Sequence, residues 1–374
     1  MTSTHRTPFR RLTTAALIAL LLAGCAGEPA PESPSPPATS PAPTTPDSAA
    51  PSPVAPIGEP TTMATGLAAP WSIAFVGDSA LVSERDSGRI LEIDKDGTTR
   101  SIGTVPGIAH GGEGGLLGLA VDAERRLYVY STGAEGNRIQ RFTVSGDPGT
   151  VELGSAETIL DGLPSASNHN GGRIAFGPDG MLYAGVGDAG DPSSAQDPTA
   201  LSGKILRMTP DGAVPADNPF PGSLVYSLGH RNVQGLGWTT DGTMVASEFG
   251  QNTWDELNVI VPGGNYGWPE VEGVVGEAAF VDPVQQWDPG AASPSGLAVV
   301  QGTVFIANLR GQVLRAVPTS DPTTSSDHFS GGFGRLRDAA LAPDGSLWVL
   351  TNNTDGRGSP GDDDDRVLSI TLSD

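Results

Sequence analysis

The chain has 374 residues, 43 of them acidic against 21 Lys and Arg, for a formal net charge of −22, and it contains one cysteine. A body this acidic does not bind nucleic acid or an anionic membrane surface through charge. A lone cysteine excludes an internal disulfide and a thiolate metal cluster.

In chain order, the first segment lies outside any fold. His5, Arg6, Arg10 and Arg11 form a positive n-region, and "LTTAALIALLLAG" is an apolar stretch too short to span a bilayer comfortably. It closes on "LAGC", Leu22 to Cys25, which resembles a bacterial lipobox. Residues 1–24 are therefore expected to be a lipoprotein signal peptide and Cys25 the lipidated N-terminus; the plainer alternative is a secretory signal with an incidental cysteine. The Arg10–Arg11 pair raises twin-arginine export, although the residues around it match that signal poorly. The expected location is outside the cytoplasm, held by the lipid to the outer face of the cytoplasmic membrane or the cell surface. Residues 25–60, rich in Pro, Ala, Ser and Thr, bury too little apolar surface to offset ordering entropy, so they are expected to form a disordered tether.

From residue 61 to 374 the chain repeats itself. "WSIAFVGDSALVSERDSGRILEID" starts at Trp71 and "LLGLAVDAERRLYVYSTGAEGNRIQRF" at Leu116. "GRIAFGPDGMLYAGVGDAG" starts at Gly172 and "VQGLGWTTDGTMVASEFG" at Val233. "PSGLAVVQGTVFIANLRGQVLRAV" starts at Pro294 and "LRDAALAPDGSLWVLTNN" at Leu336. Each has the pattern strand, tight turn, strand, loop, strand, and no segment of the body shows a long stripe of helical period. Repeats of this length built from short strands are the mark of propeller blades. The expected fold is all-β, a six-bladed β-propeller of four-stranded antiparallel blades, filling residues 61–374.

Loops between blades converge at one end of the axis. His169 lies just before the first strand of the third repeat, and Glu113, His230-Arg231-Asn232, Arg335 and Arg337 take comparable places in theirs. Arg231, Arg310, Arg335 and Arg337 would bring several guanidiniums together in an acidic protein. Arginine cannot shed its charge, so the cluster points to a bound anion, and planar carboxylates suit its fork. Isolated features carry less. His110 and His328 lack partners at metal-ligand spacing, "DDDD" from Asp362 is expected to be a solvated hairpin loop with calcium binding as the alternative, and Trp238, Trp268 and Trp348 are assigned to blade packing.

The motifs "GGEGGLLGLA", "NHNGGRIAFGPDG", "GDAGDPSSAQD", "SGKILRM", "GHRNVQGL", "GGNYGWP" and "GRLRD", in this order across residues 61–374, resemble those of the soluble quinoprotein sugar dehydrogenases, the glucose/sorbosone dehydrogenase family. The resemblance implies a six-bladed propeller using pyrroloquinoline quinone (PQQ) and calcium to oxidise the anomeric carbon of aldose sugars to lactones. It implies that His169 is the base and that Arg231 stabilises charge growing on the quinone, with Asn232 on the same edge. Arg335 and Arg337 match arginines that meet the cofactor, Gln196 a polar contact, and Trp287 an aromatic wall. Arg310 stands where relatives carry lysine. Calcium is implied on the carbonyls of Gly250 and Gln251, and Glu256 and Tyr266 match positions of a structural calcium in some relatives, with core packing the alternative for Tyr266.

Three departures stand out: Glu113 for a common glutamine, Asn168 for an aspartate beside the base, and Gln251 for proline. The expected partners are an aldose, an external quinone or cytochrome as electron acceptor, and either none or one further copy of the chain. Two other classes compete. A non-catalytic, surface-displayed sugar- or ligand-binding propeller is favoured by the departures, whereas a propeller lactonase would need side-chain carboxylates where this sequence places arginines.

Overall fold

The computed structural model describes residues 51–373. The signal peptide, Cys25 and most of the expected tether lie outside the described residues. Among the described residues the strands form six four-stranded sheets, and five of the six follow chain order from inner to outer strand. The inner strands are Pro70–Val76, Leu116–Val121, Ile174–Phe176, Val233–Trp238, Pro294–Val300 and Leu336–Leu341. Each opens one of the six repeats seen in the sequence.

The alternating strands pair because Asp-Gly turns close them. In the third blade the amide of Gly180 donates to the Gly177 carbonyl at 2.9 Å with φ +74° at Gly180, a left-handed backbone that only glycine adopts without cost. Both faces of the blades are apolar, so each packs against both neighbours. The buried side chains accordingly fall into six clusters, one per blade interface. Tyr183 and Ile205 of the third blade meet Val233 and Leu236 of the fourth, for example, and Phe305 and Leu314 of the fifth meet Leu347 and Val349 of the sixth. Burial of a large apolar side chain contributes about 1.5–3 kcal/mol, so no blade is stable without its neighbours.

The sixth sheet corrects one expectation. Its outer strand is Pro56–Ala64, paired antiparallel with Val367–Leu372 from the other end of the chain. The folded body therefore begins before residue 61, and Val54, only 3% exposed, is tied to Thr303 of the fifth blade through its own N–H and C=O. The stretch resembles a tether because it holds Pro56 and Pro60 and few large apolar residues. An outermost strand needs hydrogen bonds on one edge only and tolerates both features. The other outer strands escape the three-strand sequence pattern for the same reason: Glu152–Leu163 is mostly exposed.

The register of the inner strands matters for the site. In five blades the pairing of the first two strands shifts near the top of the inner strand, at Pro70/Ser72, Leu116/Leu119, Val233/Gly235, Pro294/Leu297 and Leu336/Asp338. Such bulges re-aim side chains. Among the residues at these shifts are Trp71, Gln234, Ser295 and Arg337, which come together in the middle of the channel. Arg173 and Arg337 lie over Trp71 at 4.4 and 5.7 Å from its ring centre, and Arg173 donates to Asp338 at 2.8 Å. This buried polar layer separates the two ends of the channel.

Candidate active site

At the end where the inner strands begin, the loops enclose a cavity of about 480 Å³. His169 stands on the loop before Ile174 with φ +53°, a left-handed conformation unusual for a side-chain-bearing residue. The surroundings over-determine it. Its amide donates to Glu113 Oε2 at 2.8 Å, and its carbonyl packs so closely on Gly187 that a Cβ there would lie 2.0 Å from the oxygen. Nδ1 lies 2.8 Å from Asp188 Oδ1, while Nε2 lies 2.7 Å from Arg231 Nη2 and 3.1 Å from Asn168 Nδ2. A carboxylate can only accept and a guanidinium only donate, so these partners assign the proton to Nδ1 and a lone pair to Nε2.

Asp188 has a fully buried side chain. Burial alone would raise its pKa, but hydrogen bonds from His169, the Gly190 amide and the Trp268 indole outweigh that and hold it below the usual carboxylate value. His169 therefore does have a carboxylate beside it, supplied by the "GDAGD" loop and not by position 168. Trp268, assigned to packing from the sequence, is part of this arrangement: its N–H fixes Asp188 at 2.9 Å and its ring carries the Arg231 guanidinium at 5.5 Å. Trp238 and Trp348 do pack edge-on against Tyr183 and Phe75, each across the interface between neighbouring blades.

Arg231 is held from below, where its amide donates to Glu248, whose other oxygen takes His230 Nδ1 at 2.8 Å. His230 is buried and stacked on Tyr266 at 4.6 Å, and so supports the loop without facing the cavity. Burial lowers the pKa of Arg231, opposed by the carboxylates of Asp188, Glu113, Glu248 and Glu272. Asn232 accepts from the Gly171 amide at 3.0 Å, and its buried Nδ2 has no partner among the described residues. Arg335 reaches Asp355 at 3.3 Å through Nη2, and its buried Nε is likewise unpartnered. Arg310 lines the cavity at its exposed edge.

Arg337 departs from the expected convergence. It sits one layer down in the polar plug, donating to Gln234 at 2.8 Å and Asn352 at 3.1 Å, and complete burial lowers its pKa to about 9. In its place Arg357, which sequence reasoning did not single out, reaches the cavity and pairs with Glu113 at 3.2 Å. Glu113 thus brings no uncompensated charge: one oxygen meets a guanidinium and the other the His169 amide. Asp355, placed near both Arg335 and Arg337, takes up part of the arginine cluster's mutual repulsion.

Gln196 and Trp287 do not line the cavity. Gln196 exchanges hydrogen bonds with Asn265 and donates to the Trp268 carbonyl at 2.7 Å. Its turn, Pro192–Gln196, is pinned by Lys204, whose Nζ donates to the carbonyls of Ser194, Ala195 and Ser202 and whose pKa burial lowers to about 8. Trp287 lies on the outer strand of the fourth blade under the Arg315 guanidinium at 4.7 Å.

The four residues expected to hold metal are separated. Gly250 and Gln251 line the cavity, and among the described residues their carbonyl oxygens accept no hydrogen bond. Glu256 and Tyr266 lie inside the fourth blade. Glu256 accepts from Asn258 and the Gly273 amide, and burial followed by the nearby Glu248 charge pushes its pKa well above the carboxylate range. Tyr266 donates to the Val259 carbonyl at 2.7 Å. No three His, Cys, Asp or Glu side chains gather at metal-binding spacing among the described residues. Asp255, missed in the sequence, fixes the Gly250 loop by accepting from the amides of Gly250 and Ser293, and burial raises its pKa to about 6.

Comparison with known proteins points to one family. A family model described as glucose/sorbosone dehydrogenase matches residues 67–359. Quinoprotein glucose dehydrogenase B of Acinetobacter calcoaceticus is 35% identical over 256 residues, 58% of this chain but only 53% of that protein. The aldose sugar dehydrogenase YliI of Escherichia coli is 30% identical over 330 residues, 77% of this chain and 88% of that one. Among solved structures, the PQQ-bound aldose sugar dehydrogenase of Streptomyces coelicolor superposes with a TM-score of 0.80 at 48% identity, covering 85% of this chain and all of that one.

Proposed function

The chain belongs to the glucose/sorbosone dehydrogenase family, and on that premise we propose that it is a PQQ- and calcium-dependent dehydrogenase that oxidises aldose sugars at the anomeric carbon to lactones. The observation that carries this reading is a group of guanidiniums around one cavity. Arg231, Arg310, Arg335 and Arg357 line it beside Asn232, with Arg310 at its exposed edge. Arginine cannot shed its charge and its fork matches planar carboxylates, so this cavity suits a planar ligand rich in carboxylate and carbonyl oxygens.

When bound, PQQ with its calcium supplies a hydride acceptor whose developing negative charge the metal helps to neutralise. Arg335, Arg310 and Asn232 would hold the quinone, and the free carbonyls of Gly250 and Gln251 would hold the ion, consistent with the oxygen ligands calcium prefers. His169 takes the proton of the anomeric hydroxyl at Nε2. Asp188 fixes the required tautomer through Nδ1 and stabilises the imidazolium that forms. Glu113 keeps the ring in place through the His169 amide. Arg231 presents donors where negative charge develops, and burial makes that charge worth more than it would be in water.

The reading extends to an exported, lipid-anchored protein that passes electrons to an external quinone or cytochrome, supported by the "LAGC" sequence at Cys25.

The test is reconstitution of the chain with PQQ and calcium, followed by dye reduction over a panel of aldoses. Turnover should fall about 10²–10⁴-fold in His169→Ala while quinone binding persists. Binding without turnover on any aldose would favour the sugar- or ligand-binding propeller instead, and absence of binding would sink the quinone reading.

A further inference from the structure

Arg231 differs from the other cavity donors in already being satisfied. Its Nε and Nη2 both donate to Gln251 Oε1, at 2.9 and 2.5 Å, and Nη1 donates to the Phe249 carbonyl at 3.2 Å. Nη2 also caps His169 Nε2, the lone pair a base must keep open. Asn232, Arg310 and Arg335 line the same cavity. One side-chain amide thus occupies the guanidinium that faces His169.

Gln251 is exposed, and its carboxamide makes hydrogen bonds only to Arg231 among the described residues. Its position in the chain is fixed separately, by the bond from its own amide to Glu272. The side chain can therefore leave Arg231 for water while the loop stays where it is. Arg231 has no such freedom, because it is buried and stacked over Trp268.

Building on the quinone reading above, we infer that Gln251 determines cofactor affinity by acting as an internal stand-in acceptor. Its side-chain oxygen holds Arg231 against His169, and a ligand bearing carbonyl or carboxylate oxygens has to displace it. Apparent affinity is then the intrinsic affinity reduced by the fraction of molecules in which Arg231 is free. A charge-assisted hydrogen bond that competes with water and with the ligand sets that fraction well below one. Displacement of Gln251 frees Nε and Nη2 of Arg231 for the ligand while the guanidinium stays over Trp268.

The experiment is an equilibrium titration of PQQ into the chain in the presence of calcium, followed by calorimetry or by tryptophan fluorescence, with Gln251→Leu, Gln251→Ala and Gln251→Glu in parallel. Leu and Ala keep the main-chain carbonyl and remove the competing acceptor, so both should bind PQQ about fivefold more tightly than the parent. Glu supplies a stronger competitor and should bind about fivefold more weakly or worse. Unchanged or weaker binding in both Leu and Ala, with the parent binding normally, overturns the inference alone and makes Gln251 a ligand contact. No binding by the parent or any variant overturns the quinone reading and this inference together.

Discussion

The two ends of the axial channel are built from the same six strands and could hardly differ more. Where the inner strands begin, His169, Arg231, Asn232 and Arg335 surround a polar cavity. Where those strands end, a second cavity of about 410 Å³ is lined largely by apolar side chains, among them Phe75, Val121, Phe176, Trp238, Val299 and Leu341. Between them lies the plug of Trp71, Arg173, Gln234, Arg337 and Asp338. The contrast separates polarity used to hold the ring of blades together from polarity left available. In the plug, Arg173 bonds Asp338, Ser72 and the Gln234 carbonyl, leaving its Nη2 without a partner among the described residues, and Arg337 bonds Gln234, Ser295 and Asn352. At the rim, Arg231, Arg310, Arg335 and Arg357 instead line an open cavity. The difference lies in access: the rim's guanidiniums border space that a ligand can enter.

The division can be broken by mutation. The largest effect is expected in the plug: Asp338→Ala leaves Arg173 buried without its carboxylate and also removes the acceptor for the Ile73 amide. Stability should fall by about 3–5 kcal/mol, measured as a lower denaturation midpoint, with quinone affinity of the folded protein little changed. An equal collapse of affinity would show that plug and rim act as one unit. Next comes Arg231→Lys at the rim, where an ammonium cannot span His169, Gln251 and the Phe249 carbonyl together. It should lower kcat/KM by about 100-fold with a much smaller change in the denaturation midpoint. A large midpoint shift with intact turnover would reverse the assignment of roles.

The smallest effect concerns pH. The pKa of Asp188 is depressed in the fold, so its contribution is present above the unfolded carboxylate pKa and is lost as pH falls through the folded one. The stability difference between the parent and Asp188→Asn should therefore stay flat from neutral pH down to about pH 4 and shrink only below it. A difference that already vanishes near neutral pH would mean that the His169–Asp188 contact is not an ionised one.

Much of this was legible before any coordinates. The six repeats named six blades, and the loop positions of His169, Arg231, Asn232 and Arg335 named most of the rim. What was missed shares a cause. Asp188 sits in a motif that marked the family but whose aspartate had no reason to be singled out until the loop folded back on His169, 19 residues away. Arg357 lies in a Gly- and Asp-rich loop and gains meaning only through Glu113, on a distant blade. The strand Pro56–Ala64 looks like linker because its partner is the last strand of the chain.

The sequence by itself determined the blade count, the turns and the end of the channel where polar residues collect. These follow from local rules: two-residue alternation, Asp-Gly turns and the placement of loops before strands. Only the tertiary structure decided which arginines face the cavity, which carboxylate pairs with His169, and that Gln251 occupies Arg231. The register shift at Leu336/Asp338 turns Arg337 into the plug, and loops from different blades meet only when the ring closes. Both are contacts between distant parts of the chain, and they leave no periodicity in it.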